Sequence, residues 1–156
     1  KQDPAAAAAL FEKAAAQDYA PAQYNLAYVY MSGAAGFAQD QARGLELLGK
    51  SADNGFAPAQ YQMGVMHHLG KGGLAKDEAK GFAYFKKSAD QGYAPAQFNV
   101  GVALANGLPE ASVMKNPKAA MDYMQKACAG GVKPACDSMA RLRIMSGGAP
   151  AGHPAP

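Results

Sequence analysis

Large apolar side chains return along this chain at a fixed long interval, each followed three residues later by a small one. Phe11, Leu48, Phe85 and Met124 form the large row, and Ala14, Ser51, Ser88 and Ala127 form the small row. Between them, apolar positions repeat at helical spacing, which predicts one set of amphipathic helices: Pro4–Gln17, Gln41–Asp53, Glu78–Asp90 and Pro117–Ala129. Asp3, Asp40, Asp77 and Asn116 stand just before these helices, where a side-chain oxygen can accept from the free N–H groups of the first turn. Pro4 and Pro117 take the first helical position, where a missing N–H costs nothing. Gly55, Gly92 and Gly131 supply the left-handed residue that ends a helix. We call these the B helices.

A second set, the A helices, is predicted at Pro21–Ser32, Pro58–Leu69, Pro95–Asn106 and Pro134–Met145. Their inward rows read Ala22, Leu26, Ala27, Tyr30, then Ala59, Met63, Gly64, His67, then Ala96, Val100, Gly101, Leu104. Glycine inside a helix costs roughly 1 kcal/mol relative to alanine. Gly64 and Gly101 are therefore expected where a side chain would clash with a partner helix. Gly33, Gly70 and Gly107 end the A helices, and the third A-to-B loop is two residues longer, around Leu108-Pro109-Glu110.

Each A helix opens on Ala-Pro-Ala-Gln. The copies at Ala20–Gln23, Ala57–Gln60 and Ala94–Gln97 are 37 residues apart (57 − 20 and 94 − 57), and a degraded copy, Lys133–Cys136, follows after 39 (133 − 94). A period in this range means stacked supersecondary units sharing one continuous core. The order is B, three A–B units, then A. The expected fold is all-α: an α/α solenoid of about eight antiparallel helices, with three full repeats between terminal half repeats. One domain is expected over 3–146, and the Gly/Pro-rich stretch 147–156 is expected to be an extended or disordered tail.

Composition narrows the function by exclusion. Much of the 49% apolar content is alanine and there is no Trp, which favours close packing of thin helices over one large aromatic core. The net charge of +3 is scattered with no Lys/Arg run, so no nucleic-acid partner is expected. No stretch approaches 18 apolar residues, so no membrane span is expected. Lys1 reads as an artificial or mature end, which leaves room for a removed signal peptide. No cofactor, metal or catalytic constellation is expected. His67 and His68 diverge by roughly 100° on a helix, so they do not face one ion; His67 is expected to be packed and His68 to be a surface contact. Ser51 and Ser88 lie in the buried small row.

The A helices carry the candidate surface. Pro21–Gly33 and Pro95–Gly107 hold no formal charge, and Pro58–Gly70 holds only what His67 and His68 carry. A solvated helix face normally carries several charges, so these faces pack or bind. Tyr24, Tyr61 and Phe98 are expected to pack on the preceding B helix, since stacked repeats bury two faces; a contact role is the alternative. Expected for partner contact are Tyr28, Val65, Val102 and His68, the polar row Asn25, Ser32, Gln62, Asn99 and Asn106, and Arg141 on the last A helix. Tyrosine combined with amide side chains suits a protein interface.

Ala22–Gly33 (A-Q-Y-N-L-A-Y-V-Y-M-S-G), followed by Asp and a B helix ending Lys50–Gly55 (K-S-A-D-N-G), resembles the Sel1-like repeats, relatives of the tetratricopeptide repeats. The resemblance runs from Asp3 to Gly147 and departs at His67, Leu104 and Arg143, which replace Tyr30. It implies a right-handed superhelix that binds other proteins by stoichiometric contact. Lys126–Cys136 (K-A-C-A-G-G-V-K-P-A-C) is similar to the cysteine-rich branch of that family, which implies a Cys128–Cys136 disulfide and an oxidising compartment, periplasmic or secreted. Two reduced, buried thiols in a cytosolic protein are the other reading. The family further implies a partner protein such as a secreted effector toxin or an envelope enzyme, with this chain its inhibitor or immunity protein. An envelope assembly or signalling adaptor comes second, and a β-lactam or peptidoglycan hydrolase third.

Overall fold

A computed structural model describes residues 4–34 and 36–145. The helices are α1 (Pro4–Ala15), α2 (Ala20–Ser32), α3 (Gln41–Asp53), α4 (Ala57–Leu69), α5 (Glu78–Asp90), α6 (Ala94–Asn106), α7 (Pro117–Ala129) and α8 (Lys133–Met145). No strand occurs among the described residues, so the all-α solenoid expected from the pattern is the observed architecture. The expected cap Asp3 and the tail 147–156 lie outside the described residues.

The caps form as the sequence requires. Asp40, Asp77 and Asn116 accept from the backbone N–H groups of Arg43, Lys80 and Ala119 at 2.9–3.0 Å. The N–H groups of the same three residues donate at 2.8 Å to the carbonyls of Tyr30, His67 and Leu104, which fastens the start of each B helix to the A helix before it. α1 ends at Ala15, two residues earlier than expected. Asp18 there holds φ +58° in the register place of Gly55, Gly92 and Gly131. Aspartate tolerates this region better than most residues, and its carboxylate accepts from Gln23 Nε2 at 3.3 Å.

Within each A–B hairpin the helices approach almost backbone to backbone. A methyl group at Gly44 would lie 2.9 Å from the Ala27 carbonyl oxygen and 2.5 Å from Met31 Cγ. At Gly64 it would lie 2.6 Å from the Phe85 ring, at Gly81 3.1 Å from the Gly64 oxygen, and at Gly101 3.1 Å from Met124 Cε. The expected clash is real at Gly64, whereas at Gly101 an added methyl would meet the flexible Met124 side chain in tight contact only. Gly44 shares the overlap and Gly81 the close approach, and the helical pattern did not single out either.

Apolar clusters lie one after another along the stack. Phe11 packs on Leu26 and Tyr30, Leu48 meets Ala27 and Met63, Phe85 meets Val100, and Met124 meets Ala127 and Ala135. Tyr24, Tyr61 and Phe98 are packed, but toward the following repeat, which corrects the expectation. Tyr24 meets Phe56 (ring centroids 5.3 Å apart), Tyr61 meets Phe85 (5.7 Å) and Tyr93 (5.4 Å), and Phe98 joins the Met124 cluster. The reason is that Leu26, Met63 and Val100 of the inward rows already cover the preceding B helix, leaving the aromatic row to cover the next one.

At the joint between repeats, polar side chains bond the helix ends. Gln23, Gln60 and Gln97 are buried and donate to the carbonyls of Ala15, Ala52 and Ala89, eight residues earlier, at 3.1–3.4 Å. Asn54 Nδ2 donates to Gln23 Oε1 at 3.0 Å and Gln91 Nε2 to Gln60 Oε1 at 2.7 Å, tying the first joint to the second and the second to the third. Ser51 and Ser88 donate to the carbonyls of Ala20 and Ala57 at 2.6 and 2.7 Å. In the last joint Cys128 and Cys136 replace this alanine and glutamine, again eight residues apart, and form a disulfide with Cα atoms 4.8 Å apart. A covalent bond thus stands where the other joints hold a hydrogen bond.

Two outcomes follow for unfolding in urea. In Gly44→Ala the overlap costs about 1–3 kcal/mol, more than the roughly 1 kcal/mol of helix propensity that alanine brings, so stability falls; Gly49→Ala, with nothing within 4 Å, raises it by about 0.5–1 kcal/mol. Losses at both positions would disprove the close-approach account. Reducing the disulfide lowers stability by about 2–3 kcal/mol on the chain-entropy account. Cys128→Ala with Cys136→Gln restores the residue pair of the other joints and recovers about 1 kcal/mol of that loss; no recovery would mean that the amide contributes nothing at this joint.

Candidate functional site

The A-helix faces of α4 and α6 open onto a groove of about 250 Å³ between α4, α5 and α6. Val65 of α4 and Val102 of α6 supply its apolar walls, with Phe82 and Phe85 of α5 between them. These positions follow from helical spacing. Val65 and Val102 lie 37 residues apart in register (102 − 65), on the face opposite the inward row, and Phe85 belongs to the large apolar row.

The remaining wall comes from the longer third loop. After Gly107 the chain forms a 3-10 turn, Pro109–Ala111, and closes on itself through an isolated bridge: Leu108 N–H to Val113 O at 2.8 Å and Val113 N–H to Leu108 O at 3.0 Å. Leu108 thereby lines the groove.

Its polar edge is built from His68, Glu78, Asn99 and Asn106. Glu78, with a side chain 14% exposed, holds its Oε2 2.6 Å from His68 Nδ1 and its Oε1 2.8 Å from Lys76 Nζ. Burial pushes this carboxyl up, but the hydrogen bonds from Lys76 and His68 outweigh burial and hold it below the usual carboxylate range. The same contact raises Lys76.

Of the expected contact residues, the structure brings Val65, His68, Asn99, Val102 and Asn106 into this groove. Gln62 is half-buried on α4 outside the groove lining. Asn25, Tyr28 and Ser32 are exposed on α2, one repeat away. Tyr28 is 40% exposed with its ring edge-on to Tyr24, and Ser32 donates back to the Tyr28 carbonyl at 2.7 Å. Burial first, and then the Tyr28 hydroxyl, raises the Tyr24 phenol. Arg141 is exposed on α8 at the register place of Val102 and forms no part of the groove. His67 is half-buried with its ring stacked on Tyr84, centroids 5.7 Å apart, as a packed histidine should be. Phe82 and Leu108 were not foreseen. The sequence signal for Leu108 was present as the two-residue insertion, whereas Phe82 had none beyond its place on α5.

The Sel1 repeat family matches residues 1–19, 20–56, 57–93 and 94–132. No curated protein sequence matches the chain. Among solved structures, a Sel1 repeat protein from Oxalobacter formigenes is similar at 26% identity and a TM-score of 0.77, over 83% of this chain and 93% of that one. The protein c5321, a protective antigen of uropathogenic Escherichia coli, is similar at 26% identity and a TM-score of 0.76 over 94% of this chain, which spans 30% of c5321. Cysteine-rich protein B of Helicobacter pylori shares the fold at 22% identity and a TM-score of 0.62, over 82% of this chain and 93% of that one.

The ion pairs at the groove edge predict a pH response. Glu78 is more acidic in the fold than in the open chain, so its contribution is full above the ordinary value of about 4.3 and is lost as pH falls through the lower folded value. Glu78→Gln should therefore melt below the parent at pH 7, with the gap closing as pH drops below about 4. A gap unchanged by pH in thermal unfolding would refute the role given to the carboxylate.

Proposed function

The chain belongs to the Sel1 repeat family, and we propose that it is an exported binding module that holds a partner protein on its A-helix face by stoichiometric contact. The observation that carries this reading is the convergence of Val65, His68, Asn99 and Val102 on one open groove beside helix faces that carry no Asp, Glu, Lys or Arg. Export to the periplasm or beyond is supported by the disulfide, since such bonds persist in oxidising compartments. Within this class an inhibitor or immunity protein for a secreted toxin or envelope enzyme comes first, by family analogy, and an envelope adaptor second.

The burial of Ser51 and Ser88 favours binding over hydrolysis. Both are fully buried and their hydroxyls are engaged on backbone carbonyls, so neither is available as a nucleophile. Among the described residues no group of three or more His, Cys, Asp or Glu is placed to hold a metal ion.

Tyr28→Glu, Val65→Glu and Val102→Glu should each weaken capture of the native partner by at least about tenfold, as truncation of a contact centre does, with unchanged helical circular dichroism. Recovery equal to the parent for all three would sink the assignment of this face. Thiol titration of protein isolated from its host tests export: two free thiols would remove the case for it.

A further inference from the structure

We propose that the groove accepts a single large apolar side chain from an extended segment of the partner, and that the adjoining residue of that segment is a Lys or Arg received by Glu110. The proposal rests on the binding reading above and names the chemistry of what is bound. Size sets the first half. At about 250 Å³ the groove falls below the range of sites for drug-sized molecules, roughly 300–1,000 Å³, and suits one leucine- or phenylalanine-sized group among Val65, Phe82, Val102 and Leu108. The half-buried Asn99 and the exposed Asn106 stand at its edge. Their amides can donate to and accept from the backbone of an extended chain lying across the opening, as carboxamide side chains do.

Charge sets the second half. A shallow depression next to the groove shares Glu78 with it and is bordered by Lys76, Asp77 and Glu110. Lys76 is bound to Glu78, and Asp77 faces Lys80 at 3.7 Å. Glu110 is exposed and takes part in no ion pair among the described residues. The 3-10 turn that brings Leu108 into the groove wall therefore also holds, two residues further on, a carboxylate that feels Lys76 at a distance but is not ion-paired, in the depression that adjoins the groove. An apolar side chain followed by a cation complements both. A partner segment with an acidic neighbour meets repulsion instead.

The probes are three blocked dipeptides, N-acetyl-Phe-Arg-amide, N-acetyl-Phe-Ala-amide and N-acetyl-Phe-Glu-amide, titrated into the isotope-labelled protein and followed through backbone amide resonances. All three should shift Val65, Val102 and Leu108. The arginine form should bind about two- to fivefold tighter than the alanine form, the range of an exposed ion pair, with the glutamate form weakest. Glu110→Gln should bring the arginine and alanine forms level while leaving the alanine form unchanged. Shifts confined to other residues, or equal affinities for the three dipeptides, would overturn the proposal. Capture of the native partner separates the two levels. If Val102→Glu loses the partner while the dipeptides show no ranking, this inference falls and the binding reading stands. If the dipeptides rank as expected while Val102→Glu retains the partner, the groove chemistry stands and the binding reading falls.

Discussion

A buried glutamine amide at each of the first three joints is the interaction on which the stack depends. Every helix exposes backbone carbonyls at its C-terminal end, and a solenoid places that end inside the structure, against the start of the next helix. A buried carbonyl without a partner costs about 1–3 kcal/mol. Gln23, Gln60 and Gln97 remove that cost by reaching back to Ala15, Ala52 and Ala89. Their own carboxamide oxygens would then be orphaned, and for Gln23 and Gln60 Asn54 and Gln91 supply the missing donors from the next repeat. Satisfying one repeat thus calls on its neighbour. Gly130 occupies the place of Asn54 and Gln91 and has no side chain to donate to Gln97, while within the last joint the disulfide stands in the place of the glutamine-to-alanine bond.

Close packing of the hairpins is the second constraint, and it bears on the candidate site. Gly44, Gly64, Gly81 and Gly101 let A and B helices approach to contact distance. The A helices are then held along one side by a B helix of their own hairpin and along the other by the B helix before it. A narrow uncharged strip remains, and between α4 and α6 that strip opens into the groove. The groove is shaped by the longer loop: the connection after α6 adds Leu108 as a wall and Glu110 as a charge. In the first two A–B connections six residues separate Gly33 from Asp40 and Gly70 from Asp77, against eight between Gly107 and Asn116.

Most of the fold was legible because it is written more than once. A capping Asp, a large residue, a small one and a Gly at fixed offsets leave little freedom, and the helix boundaries of α3, α5 and α7 fall where those residues put them. What escaped notice depends on relations between elements. Tyr24 and Tyr61 have the same spacing whether they cover the preceding or the following B helix, and only the occupation of the other side by Leu26 and Met63 decides it. Asp18 carried no glycine to signal its left-handed backbone. The candidate site was half legible: helical spacing found Val65, Asn99 and Val102, while Leu108 and Phe82 meet them only after folding.

The three joints built on Ala-Pro-Ala-Gln are near copies, and that raises a problem of register. A helix pair displaced by one repeat would meet almost the same partners, so a chain of identical units could pair with itself, or with a second chain, one unit out of step. The Cys128–Cys136 link removes that freedom at one point. It closes within eight residues of sequence, so it can form before any distant contact, and no other joint in the chain can make it. It gives an otherwise repetitive molecule a unique address from which all the remaining pairings can be counted.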